Sequence, residues 1–365
     1  MQLAMRGYGS RAYRVREWVL EQARLGRLRA GDRLPAPHLI AQEVGVSTLT
    51  VQRALNQMAQ EGLVVRRRRA GTFLSHAAHP TLRPVAPLRL ALLLPKSMGD
   101  VNADFYLGGL YQGIQQALAE QALLLTWYDY EALHQAELDT MAGALAIAPP
   151  LSRMHELQQL NARFPITVVG AAAASWGLDS VACDNETPMR ESVQRLVQLG
   201  HRRIIGLFAD LDALDTQERL QAFCRAASEA SLSAWYTLCA YDTFQLEPTL
   251  HQQLLNLLRL PVALRPTAVV AGGFYMAMGA LQAAHALGLR VPEDLSVIGF
   301  DDPPAAALTA PPLSTYRQPL QAMGQRAAQH LLQVIQNGRA PEPLLQRMPT
   351  PYIERRTVAP IVTSR

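Results

Sequence analysis

Residues 45–74 read GVSTLTVQRALNQMAQEGLVVRRRRAGTFL, and two kinds of periodicity follow one another in them. Gly45 is the residue type most tolerant of a left-handed helix C-cap. Ser47, two positions on, is a preferred N-cap for a new helix. From there Val51, Ala54, Leu55 and Met58 recur at i, i+3, i+4 and i+7, which predicts one buried stripe on a helix. The opposite face carries Thr48, Thr50, Gln52, Arg53 and Gln57, all capable of hydrogen bonding. Gly62 ends this helix, and GLVVRRRRAGTFL then predicts a β-hairpin, with strands at 63–66 and 72–74 and a turn at 67–71. Four consecutive arginines at 66–69 put positive charge on the hairpin tip, where phosphates or a minor groove would attract it.

Upstream, Val15, Trp18, Val19 and Ala23 mark one face of a first helix. Gly31 and Pro35 punctuate the chain, so GDRLP at 31–35 is a turn or short extended piece. Leu39, Ile40 and Val44 predict the apolar face of a short second helix. Two helices joined by a tight turn, the second with a polar face, form the helix-turn-helix arrangement that enters a major groove. Charge agrees: the first eighty residues hold 13 Arg against 5 acidic residues, while the rest hold 21 Lys and Arg against 25. A basic head on a mildly acidic body implies a polyanionic partner for the head alone.

The segment from about 11 to 75 resembles the winged-helix head of the GntR family, with GDRLP, VS–TV–RAL, EGLV and GTF in order. The resemblance implies base or phosphate contacts from Ser47, Thr48, Thr50, Gln52 and Arg53, and wing contacts from Arg67, Arg68, Arg69 and Gly71. The chain departs from the family pattern at four places. Ala36 and His38 follow the LP where Ser and Arg are usual, and Thr48 and Gln52 stand where Arg is common. Fewer arginines on the reading helix imply weaker guanine readout: Gln52 suits adenine, and a threonine methyl suits thymine.

Residues 76–87 are rich in proline, lack periodicity and predict an extended tether, in which His76 and His79 read as linker residues rather than metal ligands. From residue 88 onward, apolar strands (88–94, 123–127, 144–148, 166–169, 204–208, 268–271, 295–299) alternate with helical stretches (106–121, 188–199, 218–228, 276–287). This alternation predicts parallel sheets covered by helices, with ligands beyond the C-terminal strand ends. The domains expected are a winged helix-turn-helix at 1–75, a linker at 76–87 and an α/β body at 88–365.

The body resembles the LacI family sensor, a periplasmic-binding-protein type I clamshell. DNETPMRESVQRLVQLGHRRI at 184–204, ERLQAF at 218–223, LGLRVPEDLSVIGFDD at 287–302 and PPLSTYRQPLQAMGQRAAQHLL at 311–332 carry that likeness. It implies two Rossmann-like subdomains, about 88–184 plus 314–341 and about 185–313 plus 342–365. A GntR-type head on a LacI-type sensor is the hybrid plan of arabinose-type repressors. By motif position, the effector site would include Asp104, Phe105, Arg219, Phe274, Tyr275 and Asp301. Each has a structural alternative: an ion pair for Arg219, a turn or cap for Asp301, packing for Phe105 and Phe274. Gly273–Phe274 replaces the usual Asn-Asp pair, and Gly170 stands where a polar residue is common. The pocket is therefore less polar than a typical monosaccharide site, whether it takes an aromatic or larger sugar-like ligand or no effector at all.

These readings predict a cytoplasmic, homodimeric DNA-binding regulator, a repressor on a pseudo-palindromic operator, controlled by a sugar-like effector. The alternatives are a soluble binding protein with a vestigial head and a regulator with a degenerate effector site. No secretory signal or membrane span is legible, the three cysteines lack metal spacing, and no cofactor is expected. No GxSxG, HExxH, P-loop or CxxC occurs, so the chain does not read as an enzyme.

Overall fold

The computed structural model describes residues 10–25, 27–67, 70–75, 88–95, 105–119, 121, 123–135, 138–208, 211–230, 232–239 and 248–361. The linker at 76–87, Arg68, Arg69 and Asp104 lie outside these residues. The chain divides into two compact units, Met1–Leu88 and Arg89–Arg365.

The first unit holds helices α1 (Ser10–Arg24), α2 (Pro37–Val44) and α3 (Thr48–Gln60), then strands β1 (Val64–Arg67) and β2 (Gly71–Leu74). Pro37 opens α2, where a missing N–H costs nothing, and Gly45 closes it at φ 69, ψ 47. The core gathers Val15 and Val19 of α1, Ile40 and Val44 of α2, and the stripe Val51, Ala54, Leu55 and Met58 of α3. Leu39 does not join it. The inward side of α2 is Ile40, Ala41 and Val44, and Leu39, one position off that stripe, is 48% exposed. The hairpin also corrects the sequence reading. Its ladder runs from Val64↔Leu74 to Arg67↔Gly71, so Arg67 and Gly71 belong to the strands and not to the turn. GDRLP lies extended beside β2, with Arg33 bridged to Phe73 and the Leu34 N–H donating to Thr72 O at 2.9 Å.

The second unit contains two six-stranded sheets. The first has the order β13-β7-β6-β5-β3-β4, from β3 (Leu88–Leu94), β4 (Leu123–Asp129), β5 (Gly143–Ile147), β6 (Ile166–Val169), β7 (Asp179–Cys183) and β13 (Leu345–Met348). The second has the order β14-β12-β11-β10-β8-β9, from β8 (Arg203–Phe208), β9 (Ala234–Cys239), β10 (Ala268–Ala271), β11 (Ser296–Phe300), β12 (Ser314–Tyr316) and β14 (Tyr352–Ile353). The recorded pairs are parallel except β12 with β14. Helices α4 (Phe105–Leu118), α5 (Met154–Asn161), α6 (Glu186–Gln198), α7 (Leu214–Glu229), α8 (Pro248–Leu258), α9 (Phe274–Ala286) and α10 (Leu320–Asn337) complete the unit.

The chain crosses between the lobes three times, the first time near residue 184 as expected and the other two times later than expected. β12 (314–316) belongs to the second sheet, paired with β11, and β13 (345–348) to the first, paired with β7. Only α10 and β13 therefore return to the first lobe. β12 was hard to place because it is a buried Ser-Thr-Tyr held by hydrogen bonds, such as Ser314 N–H to Thr357 Oγ1 at 2.9 Å, and not an apolar run. In the first lobe α4 and α10 touch backbone to backbone. A Cβ on Gly113 would meet Gln321 O at 1.8 Å, and one on Gly324 would meet Leu110 O at 2.1 Å. Among the described residues, no helix is long and apolar enough to cross a membrane.

Candidate nucleic-acid interface and ligand cleft

The start of α3 is set by Ser47. Its hydroxyl accepts from the Thr50 N–H at 3.1 Å and shares a 2.8 Å hydrogen bond with the Thr50 hydroxyl. These two residues thus shape the helix start, while Thr48, Gln52 and Arg53 stand exposed. Gln57 of the expected polar face is half-buried. Two residues of this face were not singled out from sequence. Leu49 is 57% exposed, and Asn56, three residues after Arg53, accepts from the Arg66 guanidinium and ties α3 to β1. Asn56 follows from i+3/i+4 spacing; Leu49 was passed over because an apolar residue reads as core.

On the hairpin, the Arg67 guanidinium lies 4.9 Å from the Phe73 ring centroid, a cation–π contact that steadies an exposed charge. Gly71 has φ +112, a backbone conformation that favours glycine.

In the body, the C-terminal ends of the strands bring the expected effector residues together. β10 ends at Ala271, and Gly273 leads into α9, which opens with Phe274 and Tyr275. Their rings meet Phe105, the first residue of α4 in the other lobe, at centroid distances of 6.1 and 6.3 Å. The rings of Phe274 and Tyr275 lie 5.5 Å apart. Arg219, on α7, is buried. Its Nε donates to Asn185 Oδ1 at 2.8 Å, Nη1 donates to Gly272 O at 2.6 Å, and Nη2 pairs with the Asp215 carboxylate. The guanidinium carbon sits 4.1 Å from the Phe300 ring centroid.

Asp301, directly after β11, adopts φ 71. Its carboxylate accepts from Gln318 Nε2 at 2.5 Å and from the Phe274 N–H at 3.4 Å. Burial raises its pKa above the usual carboxylate range, with Arg219 and the hydrogen bond from Gln318 opposing. Burial likewise pushes the Cys183 thiol up to about 12, so it stays protonated. Gly170 has φ +95, and a Cβ there would fall 2.1 Å from the Tyr106 hydroxyl. The space beside Gly170 is thus filled by a tyrosine from α4.

A second contact joins the lobes. Pro150, after β5, bridges to Ala213, after β8. The Leu151 N–H donates to Asp212 O at 2.5 Å, and the Ser152 N–H and hydroxyl donate to the Asp212 carboxylate at 3.0 and 2.7 Å. No motif flagged these loop residues.

A winged helix-turn-helix followed by a two-lobed parallel α/β body, with its polar and aromatic groups converging between the lobes, has the architecture of a DNA-binding transcriptional regulator. The model of bacterial regulatory proteins, gntR family, matches residues 12–74, and that of the periplasmic binding protein-like domain matches 193–358. The chain is 27% identical over 339 residues to the arabinose metabolism transcriptional repressor of Geobacillus stearothermophilus, covering 88% of this chain and 89% of that one. It is 31% identical over 330 residues to the HTH-type transcriptional regulator MalR of Streptomyces coelicolor, covering 85% and 93%. The solved structure of the transcriptional regulator CelR–cellobiose complex superposes with a TM-score of 0.63 at 24% identity, covering 89% and 100%. The chain belongs to the HTH-type transcriptional regulators, with a GntR-type head and a LacI-type body.

Proposed function

We propose that the protein is a cytoplasmic, homodimeric repressor that holds a pseudo-palindromic operator through two heads, its affinity set by a small molecule bound between the lobes. The observation that carries this reading is the surface of α3. Thr48, Gln52 and Arg53 are exposed on one capped helix, tied through Asn56 to a hairpin that carries arginines. In this reading Gln52 and Arg53 face base edges and phosphates in the major groove, while Arg67 and its neighbours meet the backbone or minor groove. A two-fold operator matches a two-fold dimer.

For the effector, the name of the Geobacillus relative refers to arabinose metabolism and the CelR structure holds cellobiose, which supports a sugar or sugar derivative. The Phe105–Phe274–Tyr275 ring group would stack on the apolar face of a pyranose or on an aryl substituent. A specific observation favours a second reading, a regulator whose cleft takes no effector: Arg219 and Asp301 already spend hydrogen bonds on protein partners.

The test uses the full chain and a duplex enriched from a random library by repeated binding. Anisotropy titrations are run at two salt concentrations, with and without pentoses, hexoses, sugar phosphates, disaccharides and nucleosides, alongside thermal shifts. Tight, strongly salt-dependent binding to one sequence is expected, together with a Kd moved by one sugar class that also raises the melting temperature. Failure to enrich any sequence would overturn the DNA-binding reading. Enrichment without any ligand effect would overturn the effector half and leave the second reading.

A further inference from the structure

The exposed surface of α3 consists of Thr48, Leu49, Gln52, Arg53, Asn56 and Gln60. Leu49 lies three and four residues before Gln52 and Arg53, so it shares their face. The core of the head is complete without it. Val51, Ala54, Leu55 and Met58 fill the inner stripe, and Leu49 is absent both from the buried cluster and from the half-buried residues around it. At 57% exposure it is the one large apolar side chain on a helix surface otherwise built from polar groups. Nearby polar capacity is partly spent within the head: Thr50 is paired with Ser47, and Asn56 with Arg66.

The edge of a base pair in the major groove offers one apolar group, the C5-methyl of thymine. A side chain in the first turn of a helix leans toward the N-terminus, and in helix-turn-helix docking the N-terminal residues of the second helix reach the base edges. Against adenine, guanine or cytosine a leucine would bury polar edge atoms with no hydrogen bond returned. We propose that Leu49 is a specificity-determining residue that packs on a thymine methyl at one fixed position of each operator half-site. This rests on the DNA-binding reading above.

The experiment takes the full chain and the duplex enriched by selection, and replaces thymines with deoxyuridine one position at a time. That exchange removes the methyl and leaves every hydrogen-bonding group in place. For the natural chain, one position per half-site should lose about fourfold in Kd, the worth of one buried methyl-sized group. Leu49→Ala should bind the thymine duplex more weakly and lose this sensitivity at that position alone, while its melting temperature stays unchanged because the core does not use Leu49. Leu39→Ala removes the other exposed leucine of the motif, on the helix that crosses the DNA backbone, and should keep full sensitivity. Equal uridine sensitivity in Leu49→Ala and the natural chain, or no sensitive position, would overturn the assignment while DNA binding stands. A chain that enriches no sequence overturns both readings together.

Discussion

Gly170→Ala tests whether the Tyr106 hydroxyl fills the space beside the end of β6. At φ +95 an L-residue is strained by about 1–2 kcal/mol. The new Cβ would also lie 2.1 Å from the Tyr106 hydroxyl, in a buried site that must over-pack or shift, at a further 1–3 kcal/mol or so. The combined loss of roughly 2–5 kcal/mol corresponds to a drop in melting temperature of about 5–15 °C for a domain of this size. Tyr106→Phe supplies the control, because the nearest remaining ring atom, Cζ, lies 3.4 Å from the place the new Cβ would take, close to ordinary contact. The double variant should therefore regain the over-packing part and keep only the backbone strain, so the two substitutions couple by about 1–3 kcal/mol. Thermal unfolding of the full chain, followed by near-ultraviolet circular dichroism, reads all four members of the cycle. Strictly additive losses would refute the reasoning, since the hydroxyl would then not be what fills the space beside residue 170.

Three further outcomes follow from local geometry. Ser47→Ala removes the cap acceptor of α3 and should cost the head about 1 kcal/mol, lowering its melting temperature and weakening operator binding; an unchanged melting curve would show that the Thr50 hydroxyl replaces the cap. Asp212→Ala deletes the acceptor for Ser152 N–H and hydroxyl and should let the lobes separate, read as a larger radius of gyration in small-angle scattering of the full chain; identical profiles would mean that the bridge Pro150↔Ala213 and the aromatic contacts suffice. His201 is buried, with its Nε2–H donating to Ala359 O at 3.0 Å, and burial holds its imidazole below the usual range. The unfolded chain then binds the extra proton first, so stability is full above about pH 6.5 and falls as pH drops below it. The body should lose more melting temperature between neutral pH and pH 5.5 than a His201→Gln variant does, and equal losses would remove His201 as the cause.

What sequence could and could not convey follows from which signals the folding forces leave in it. The α3 stripe was legible because burial repeats at helical spacing, and the central strands β3, β5, β6, β8, β10 and β11 because both faces are covered, which makes them apolar runs. β9 and β13 escaped notice because edge strands alternate buried and exposed positions and carry polar residues, as in the exposed Leu345 and Arg347 of β13 beside the half-buried Gln346 and Met348. The crossover between 316 and 345 was misplaced for the same reason, since the three buried residues of β12 announce themselves only through hydrogen bonds made far along the chain. Motif position picked out Phe105, Arg219, Phe274, Tyr275 and Asp301, which the structure brings near one another. Motif position could not reveal that Arg219 is held by Asn185, Gly272 and Asp215, partners drawn from three separate segments.

Those partners bear on how a small molecule could act. An interaction present equally with and without ligand shifts no equilibrium; only differential affinity for two arrangements does. Three of the five Arg219 N–H groups are already spent on Asn185, Gly272 O and Asp215, and a sugar hydroxyl that takes over one of these exchanges one hydrogen bond for another with little net gain. Gly273 offers no side chain to grip a hydroxyl, and Gly170 is backed by Tyr106. The ring contacts between the lobes are different in kind. Separating Phe105 from Phe274 and Tyr275 exposes three aromatic faces, and a ligand with a flat apolar surface recovers that loss where a small polyol does not. Because Phe105 belongs to one lobe and Phe274 and Tyr275 to the other, such a ligand would change the spacing of the lobes themselves, which is the displacement a sensor has to pass on to its operator-binding heads.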